Sequence, residues 1–363
     1  MSNKNGKKDR KSSDITNTQE IDINDYYYTP NKSNGTKTTN KKKSNKKKAK
    51  NRHPIKNFFK KLFSLIVAVF LIYSVFVILL INKVDRISLD DRISDSMVML
   101  NDIKVKNVLL IGTDGRSESD SGRSDSMMLL SINGIDRKLT ITSFMRDMYV
   151  SIPNYGYGKL NSAYSYGGAS LLLDTIESNF AIEIDDCIII DFQSFMSIVD
   201  AVGGIDVTIS DSELTEINNV LMSEGNKIAG DDKMDGLLTD SGDVHLNGKQ
   251  ALTYSRIRYV GDADFDRTQR QRNVIYAIVD RLKTPNVFRV GNFANTMASE
   301  ISTNMNPISM YGLSLQAPFM LGYEITQQRI PADDTWYYDD IDGQSVIIVD
   351  YSANTKFLSE TIY

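Results

Sequence analysis

The longest hydrophobic stretch of the chain covers residues 62–81, in which 20 consecutive residues carry no charge. At about 1.5 Å per residue, a helix of this length spans roughly 30 Å, the hydrocarbon thickness of a bilayer. The stretch is too long for the apolar region of a signal peptide, and no small-residue cleavage site follows it. We therefore predict an uncleaved transmembrane helix over residues 62–82.

Three shorter hydrophobic runs follow, at residues 108–111, 127–132 and 139–141. Their lengths and their Leu, Ile and Thr content predict β-strands, because helices need longer periodic patterns. Asn133-Gly134 lies between the second and third runs and is a strong turn signal, so these two strands are predicted to be antiparallel neighbours. The start of the second strand and the end of the third then lie side by side.

Charged residues gather at the ends of these strands. They are Asp114 and Arg116 after the first strand, Arg123 and Asp125 before the second, and Arg146 and Asp147 after the third. If the first strand runs parallel to the third, all of them converge on one edge of a sheet. Guanidinium groups match phosphate oxygens and carboxylates offer hard oxygen ligands to Mg²⁺, so this edge is a candidate site for a phosphorylated ligand with a divalent cation. The alternative is a solvated loop whose opposite charges neutralise one another.

The rest of the chain alternates between predicted strands and helices. The predicted elements are a loop at residues 154–168, helices at 170–180 and 194–201, strands at 187–192 and 205–209, an exposed insertion at 211–248, one or two helices between Pro285 and about residue 321, a surface turn at 336–340 and a closing strand at 345–349. Gly203-Gly204 provides a helix C-terminal signal. This alternation favours an α/β sandwich.

A further helix is predicted to begin at Asp266, a plausible N-cap, and to continue as RTQRQRNVIYAIVDRL. Arg267, Arg270 and Gln271 are spaced i, i+3 and i+4, so they share a face in the first turns. A helix N-terminus attracts anions, whereas cationic side chains there oppose the helix macrodipole. This helix carries Arg267, Arg270 and Arg272 in its first turns. A purely structural helix rarely has several arginines there, so the pattern favours anion binding.

Two neighbouring features extend this hypothesis. Arg256 and Arg258 occur just before the helix, in the segment TYSRIRY. Val274 and Ile278 lie farther along the helix face, where they either line an apolar groove beside the anion site or pack in the core.

The charge distribution separates the chain into two parts. Before residue 62 there are 18 Lys and Arg against five Asp and Glu, a net charge of +13, and the remainder has 24 against 41, a net charge of −17. Residues 1–61 are polar and nearly free of aliphatic side chains, which predicts a disordered tail. The basic excess before the hydrophobic stretch predicts a cytoplasmic N-terminus resting near anionic headgroups. Residues 83–104 are predicted to form a stalk and residues 105–363 an external globular domain.

Cysteine and histidine usage excludes some chemistries. Cys187 is the single cysteine, so it cannot form an internal disulfide and is expected to be buried. His53 and His245 are far apart and form no metal-ligand pattern. These observations argue against zinc chemistry and against a Ser-His-Asp triad.

Several separated motifs together resemble the LytR-CpsA-Psr family of bacterial cell-envelope proteins. The motifs are LLIGTDGR, GRSDSMMLLSIN, SFMRDMYVSIP, KLNSAYSYGG, IDFQSFMSIVDAVGGIDV, LNGKQALTYSRIRY and DFDRTQRQRNVI, within about residues 105–285. The resemblance implies an α-β-α sandwich with a central mixed sheet. It also implies a phosphotransferase that moves a glycopolymer, such as wall teichoic acid or capsular polysaccharide, from a polyprenyl-pyrophosphate carrier to peptidoglycan through a phosphodiester. Where the family usually has Pro before the Arg-Asp pair, this chain has Met145.

The resemblance further implies roles for individual residues. Asp114 and Asp125 would hold Mg²⁺. The pyrophosphate would be surrounded by Arg116, Arg123, Arg146, Arg256, Arg258, Arg267 and Gln271. Arg146, Asp147 and Arg267 would act in catalysis, but the general base is left open between Asp147, which Arg146 would neutralise, and Asp114, which the metal would occupy.

Two other classes of function are alternatives. A non-catalytic module that binds the lipid pyrophosphate or the polymer would use the same arginines without turnover. A transcriptional regulator would need basic residues on a folded cytoplasmic domain, whereas the folded part is acidic and predicted to be external. We therefore expect a single-pass protein of a Gram-positive cell membrane. Its expected partners are the lipid-linked polymer, peptidoglycan and the membrane, and not nucleic acid.

Overall fold

The computed structural model describes residues 54–89, 92, 100, 102, 104–114, 124–261, 263–284 and 286–363. Residues 1–53 of the predicted disordered tail, most of the predicted stalk, and both Arg116 and Arg123 lie outside these ranges. The last part of the predicted tail, residues 54–61, is helical, so this part of the prediction was wrong. The chain separates into two units. In the first, Met1–Phe58, the described part is the beginning of the first helix, and the second, Phe59–Tyr363, contains the remaining described elements.

Helices and strands alternate along the described chain. The helices are α1 (Pro54–Ile81), α2 (Leu160–Phe180), α3 (Phe192–Ala201), α4 (Asp211–Val220), α5 (Asn226–Ala229), α6 (Gly248–Tyr254), α7 (Ala263–Lys283), α8 (Val287–Glu300), α9 (Pro307–Met320) and α10 (Tyr351–Ile362), with a π-helical turn at Leu221–Gly225. The strands are β1 (Asp85–Arg86), β2 (Val105–Thr113), β3 (Ser124–Asn133), β4 (Lys138–Phe144), β5 (Tyr149–Ile152), β6 (Gly156–Lys159), β7 (Asp186–Ile190), β8 (Ile205–Ile209), β9 (Gly242–Leu246), β10 (Ser302–Thr303), β11 (Glu324–Ile330), β12 (Trp336–Ile341) and β13 (Gln344–Val349).

A seven-stranded mixed sheet forms the centre of the fold, with the strand order β1-β10-β7-β2-β3-β4-β11. Strand β3 is antiparallel to both β2 and β4, so β2 and β4 run in the same direction. The end of β2, the start of β3 and the end of β4 therefore meet at one edge of the sheet. This arrangement confirms the predicted hairpin and the convergence of the charged segments that flank it.

The main hydrophobic core lies between one face of this sheet and helix α2. Leu109, Ile111 and Leu129 point from the sheet into this core, where they meet Ile176 and Phe180 of α2. Helix α10 packs beside α2 and adds its own apolar side chains. Cys187 belongs to the same cluster and is fully buried, as predicted.

The opposite face of the sheet is covered less tightly. Leu110 and Met128 are paired across β2 and β3 on this face, and Phe195 of α3 and Ile275 of α7 approach them. A second core joins α3, α4, α6 and α7 with β8 and β9, and Val274 and Ile278 belong to it. Of the two alternatives for Val274 and Ile278, core packing is therefore the one observed. The helices on both faces make the fold the predicted α-β-α sandwich with a central mixed sheet.

Helix α1 contains the hydrophobic stretch found in the sequence. Its segment Ile55–Ile81 is long and apolar enough to cross a membrane, and it is almost entirely uncovered by other residues. Only Asn82, Lys83 and Val84 separate α1 from β1, which pairs with β10 in the central sheet. The segment predicted as a stalk therefore begins with residues that are part of the sheet.

Two hairpins each include a strand where the sequence predicted a loop or a turn. Strand β6 lies in the segment predicted as a loop, where it pairs with β5, and α2 begins directly after Lys159. The alternating Tyr and Gly residues hide this strand signal, because Gly has a low strand propensity. The predicted surface turn at residues 336–340 is strand β12, paired with β13. Its largely exposed, acidic surface explains why its sequence resembles a turn.

Candidate functional site

A β-bulge at the edge of the sheet positions Asp125. Gly112 pairs with Ser126 and Thr113 pairs with Ser124, so Asp125 is the extra residue on β3. Bulges of this kind re-aim side chains and are common near functional sites. Here the bulge places both Asp125 and Ser126 along the same groove, although consecutive residues of a regular strand point to opposite faces.

Arg146, which follows β4, is the centre of an ion-pair network. Its Nη1 donates to Asp125 Oδ1 over 2.8 Å, and its Nε lies 3.3 Å from Asp147 Oδ2. Its Nη2 lies 3.6 Å from Asp264 Oδ1. The Nζ of Lys159 holds the other oxygen of Asp147 at 2.7 Å. The guanidinium of Arg146 is thereby held in a defined position while its side chain keeps 18% exposure to solvent.

Helix α7 contributes Arg267, the most deeply buried cation of the site, with 3% side-chain exposure. Its Nη2 donates to the main-chain oxygen of Asp125 at 3.0 Å and lies 3.4 Å from the Asp125 carboxylate. One turn farther along the helix, Gln271 Oε1 accepts a hydrogen bond from Ser126 Oγ at 3.1 Å. Arg267 and Gln271 therefore join the bulge to α7, as the predicted shared face requires.

Two details of the predicted helix start were wrong. Helix α7 begins at Ala263, so Asp266 lies in its first turn and is not the N-cap. Arg270 does not join Arg267 in the site, since its Nε donates to Glu213 at 2.7 Å and its Nη atoms donate to the carbonyls of Ile257 and Val260. Arg270 therefore has a structural role.

Arg256 reaches the groove from the end of α6. This helix packs directly on α3, because a Cβ at Gly248 would lie 2.2 Å from the carbonyl oxygen of Met196. The guanidinium of Arg256 stacks 4.6 Å above the ring of Phe192, and its Nη2 donates to Glu224 at 3.0 Å. The cation–π contact orients Arg256 towards the groove.

The charges of the site influence one another. Burial would raise the pKa of the Asp125 carboxyl, but the charges of Arg267, Arg146 and the exposed Arg258 hold this pKa below its usual value. Burial lowers the pKa of Arg267 to about 10. The charges of Arg146 and Arg258 lower this pKa further, whereas the charge of Asp125 raises it. The neighbouring carboxylates therefore do not fully offset the cost of burying the positive charge of Arg267. An anion bound here would stabilise that charge.

Five buried arginine donors have no hydrogen-bond acceptor among the described residues: three belong to Arg272 and Arg281, outside the groove, and two belong to side chains that line it. The two in the groove are Nε of Arg267 and Nη1 of Arg256. A buried donor without a partner costs free energy, and a guanidinium has five N–H groups to satisfy. Phosphate oxygens in the groove would provide the acceptors that the protein does not.

The groove itself is mainly apolar. It encloses about 650 Å³, open solvent included, between the sheet and the helices α3, α6 and α7. Its apolar walls include Leu110, Met128, Phe195, Leu252 and Ile275, while Asp125, Arg256, Arg267 and Gln271 supply the polar part. The site can therefore hold a ligand that combines an anionic group with a hydrocarbon chain.

Asp264 is a site residue that the sequence did not single out. It lines a small pocket with Asp125, Arg146, Asp147 and Arg267. Its Oδ1 is shielded from solvent and accepts no hydrogen bond from the described residues. Its only sequence signal was its place just before the predicted helix, and the earlier start of α7 moves it into the first turn.

The two predicted metal ligands have a donor chemistry that fits Mg²⁺. Asp114 directly follows Thr113, whose pairing partner Ser124 directly precedes Asp125, so the two residues occupy neighbouring backbone positions at the end of the β2–β3 pair. No group of three or more His, Cys, Asp and Glu side chains suited to a metal occurs among the described residues. Mg²⁺ is commonly held by one or two carboxylates together with substrate phosphates, and this set meets that requirement.

The fold and the site together define an α/β protein with a candidate anion site beside an apolar groove. The chain belongs to the LytR_cpsA_psr family, whose model matches residues 76–362, and the resemblance seen in the sequence is thereby confirmed.

Individual relatives agree with this assignment. The polyisoprenyl-teichoic acid–peptidoglycan teichoic acid transferase TagU of Enterococcus faecalis is 36% identical over 219 residues, which cover 59% of this chain and 65% of that protein, slightly less than two thirds of its length. TagU of Bacillus mycoides is 31% identical over 241 residues, covering 64% of this chain and 72% of that protein. A solved structure of TagT bound to LI-WTA has a TM-score of 0.58 and 26% identity, covering 75% of this chain and 94% of that one.

Proposed function

We propose that the protein is a membrane-anchored phosphotransferase that moves a glycopolymer of the teichoic acid type from a polyprenyl-pyrophosphate carrier to peptidoglycan. The observation that carries this proposal is the pair of unpartnered arginine donors, on Arg256 and Arg267, at the mouth of an apolar groove. A polyprenyl pyrophosphate combines the two chemistries that this site would bind. The names of the TagU relatives and of the TagT structure support the same substrate class.

The proposed reaction is a phosphoryl transfer at the phosphorus that carries the polymer. A hydroxyl oxygen of peptidoglycan forms a bond to this phosphorus, and the bond from the same phosphorus to the bridging oxygen breaks. The products are a polymer–peptidoglycan phosphodiester and polyprenyl phosphate, and the hydroxyl proton passes to a base. Arg146 and Arg267 would stabilise the negative charge that develops on the leaving phosphate, which is the main requirement in this type of catalysis.

The remaining predicted residues have defined parts in this proposal. Asp114 and Asp125 would hold Mg²⁺, which when bound would supply further positive charge to the pyrophosphate oxygens. Arg256, Arg258 and Gln271 would contact the pyrophosphate. Arg116 and Arg123 remain sequence predictions for the same role.

Asp264 is our candidate for the general base, in preference to Asp147. Both oxygens of Asp147 are engaged, one by Lys159 at 2.7 Å and the other by Arg146 at 3.3 Å. The Oδ1 of Asp264 accepts no hydrogen bond from the described residues and lies beside Arg146 and Arg267, where the pyrophosphate is proposed to bind. A carboxylate oxygen that accepts no hydrogen bond and lies next to the reacting group is suited to proton removal.

Anchoring by α1 would bring the site close to its lipid substrate. Asp85 pairs with Ser302, Ser302 pairs with Ile189, and Ile189 pairs with Ile111, near the sheet edge that carries Asp125. The anchor thus joins the sheet at the end where the site lies, roughly 19 Å away across four strand spacings. We propose that the domain is external and that the basic tail remains at the cytoplasmic surface of a Gram-positive membrane.

A reconstituted transfer reaction tests this function. The full chain in detergent is incubated with Mg²⁺, a polyprenyl-pyrophosphate-linked glycopolymer and peptidoglycan fragments, with Arg146→Ala and Asp125→Ala in parallel. Mass spectrometry should detect both a polymer-phosphate adduct on the acceptor and free polyprenyl phosphate, and both products should be lost in the variants. Tight lipid binding without either product would instead indicate the non-catalytic binding module.

A further inference from the structure

Helix α9 has the composition of a membrane element. Residues 301–323, which include all of α9, contain no Asp, Glu, Lys or Arg. None of the 14 residues of α9 is buried in the protein. Ile308 is 85% exposed and Phe319 is 72% exposed, and these positions lie on one stripe of the helix together with Leu315. An uncharged helix that has no buried residue and exposes large apolar side chains needs an apolar environment to cover them.

Helix α9 also contacts the anchor at membrane depth. Tyr73 Oη donates to the carbonyl oxygen of Ser314 at 2.5 Å, and the hydroxyls of Ser74 and Tyr311 are hydrogen-bonded at 2.8 Å. Tyr73 precedes the end of α1 at Ile81 by eight residues, or roughly 12 Å of helix. This depth lies within one leaflet of a bilayer whose hydrocarbon core is about 30 Å thick.

The contact from Tyr73 satisfies a specific need of α9. Pro318 has no backbone N–H, so the carbonyl of Ser314, four residues earlier, loses its usual helical donor. In lipid such a carbonyl must find another partner, and the hydroxyl of Tyr73 provides it. The Ser314 and Ser74 hydroxyls are likewise satisfied, by the carbonyls of Tyr311 and Phe70.

The connection between α1 and the sheet keeps the two helices together. Strand β1 starts after three residues and pairs with β10, which lies just before α9. Ser302 Oγ donates to Asp85 Oδ2 at 2.7 Å, and Lys83 Nζ donates to Asn295 Oδ1 at 2.7 Å. The contacts between α1 and α9 therefore follow from a fixed attachment of the anchor to the domain.

We infer that α9 is a second membrane element, embedded in the leaflet nearer the domain, packed against α1 and exposing Ile308, Leu315 and Phe319 to lipid chains. This inference rests on the proposed role of α1 as an anchor. Two membrane attachments would hold the orientation of the domain more firmly than α1 alone. The proposed groove opening would then be held at a constant height above the bilayer.

Depth-dependent fluorescence quenching tests the inference on the full chain. Single bimane labels are placed at Ile308→Cys and Phe319→Cys, and the natural Cys187 does not interfere because it is fully buried and its pKa is raised to about 11. The chain is reconstituted into vesicles of phosphatidylethanolamine and phosphatidylglycerol, with or without phosphatidylcholine that carries a doxyl group on its acyl chain. Both labels should lose fluorescence with the doxyl lipid.

Two further labels serve as references. Met234→Cys is the matched negative control, because Met234 is 64% exposed but lies beside Asp231, Asp232, Lys233 and Asp235, which keep it in water. Phe70→Cys, in α1, is the positive control. Quenching at position 70 with none at 308 and 319 would overturn the membrane role of α9 and leave the role of α1 intact. The exposed face of α9 would then be covered by water or by a second copy of the chain. Absence of quenching at position 70 would overturn the anchor itself and the inference with it.

Discussion

Replacement of Arg267 by Lys is the change that isolates the proposed chemistry of the site. The guanidinium of Arg267 contacts the main-chain oxygen of Asp125 at 3.0 Å and its carboxylate at 3.4 Å, and still has an unpartnered Nε. A lysine keeps the charge but lacks the planar fork of donors, so it should not reproduce the contacts to Asp125 and to a phosphate oxygen at the same time.

The expected loss follows from the removal of one fixed donor to the developing charge. Removal of such a donor costs about 2.7–4 kcal/mol of transition-state stabilisation, or roughly 10²–10³ in rate. Arg267→Lys should therefore lower the initial rate of polyprenyl phosphate release by this factor. Its effect on the melting temperature should be no larger than that of the control variant below.

Arg272→Lys is the matched control. Arg272 is on the same helix, is similarly buried at 4% exposure and has a pKa lowered by burial to about 10. Its Nη2 donates to Gln269 at 2.6 Å, and its side chain is not among those lining the groove. We expect this variant to retain its rate. Equal losses in the two variants would refute the assignment, because the effect would then come from burying a different cation in α7.

Three further outcomes are expected. Asp264→Asn should lower the transfer rate more than Asp147→Asn, and the opposite ranking in initial rates would return the role of general base to Asp147. Glu213→Gln should destabilise the fold by about 3 kcal/mol, because it leaves the buried charge of Arg270 without its partner. Denaturant unfolding measures this loss, and an unchanged unfolding midpoint would contradict it. The pKa of Asp125 is held below its unfolded value of about 3.9, so its stabilising contribution is present above that pH and is lost as the pH falls through the lower folded pKa. Thermal unfolding from pH 7 to pH 3 should thus show a loss of stability below about pH 4 that is smaller in Asp125→Asn; equal losses would show that other carboxylates dominate.

The sheet edge was predictable because local signals determine it. Short apolar runs and Asn133-Gly134 specify β3 and β4, and the directions of these strands bring Asp125 and Arg146 together. The bulge that aims Asp125 had no comparable signal, since it depends on how β2 and β3 pair.

The roles of the arginines on α7 depend on distant partners. The spacing of Arg267, Arg270 and Gln271 predicts a shared face, but Glu213, 57 residues away in sequence, draws Arg270 out of the site. Residues on one helix face still differ in direction by up to about a third of a turn, so each can meet a different partner. Helical spacing alone does not identify that partner. The sequence did not identify Asp264 as a site residue, because its position in the first turn depends on where α7 begins.

A structure of the full chain with a polyprenyl pyrophosphate tests the central claim most directly. We predict that the phosphate oxygens lie within hydrogen-bond distance of Arg267 Nε and Arg256 Nη1. The hydrocarbon chain should run between the sheet and α3 and α7, along Leu110 and Phe195. A lipid bound elsewhere, with both arginine donors still unpartnered and the groove unused, would contradict the proposed site.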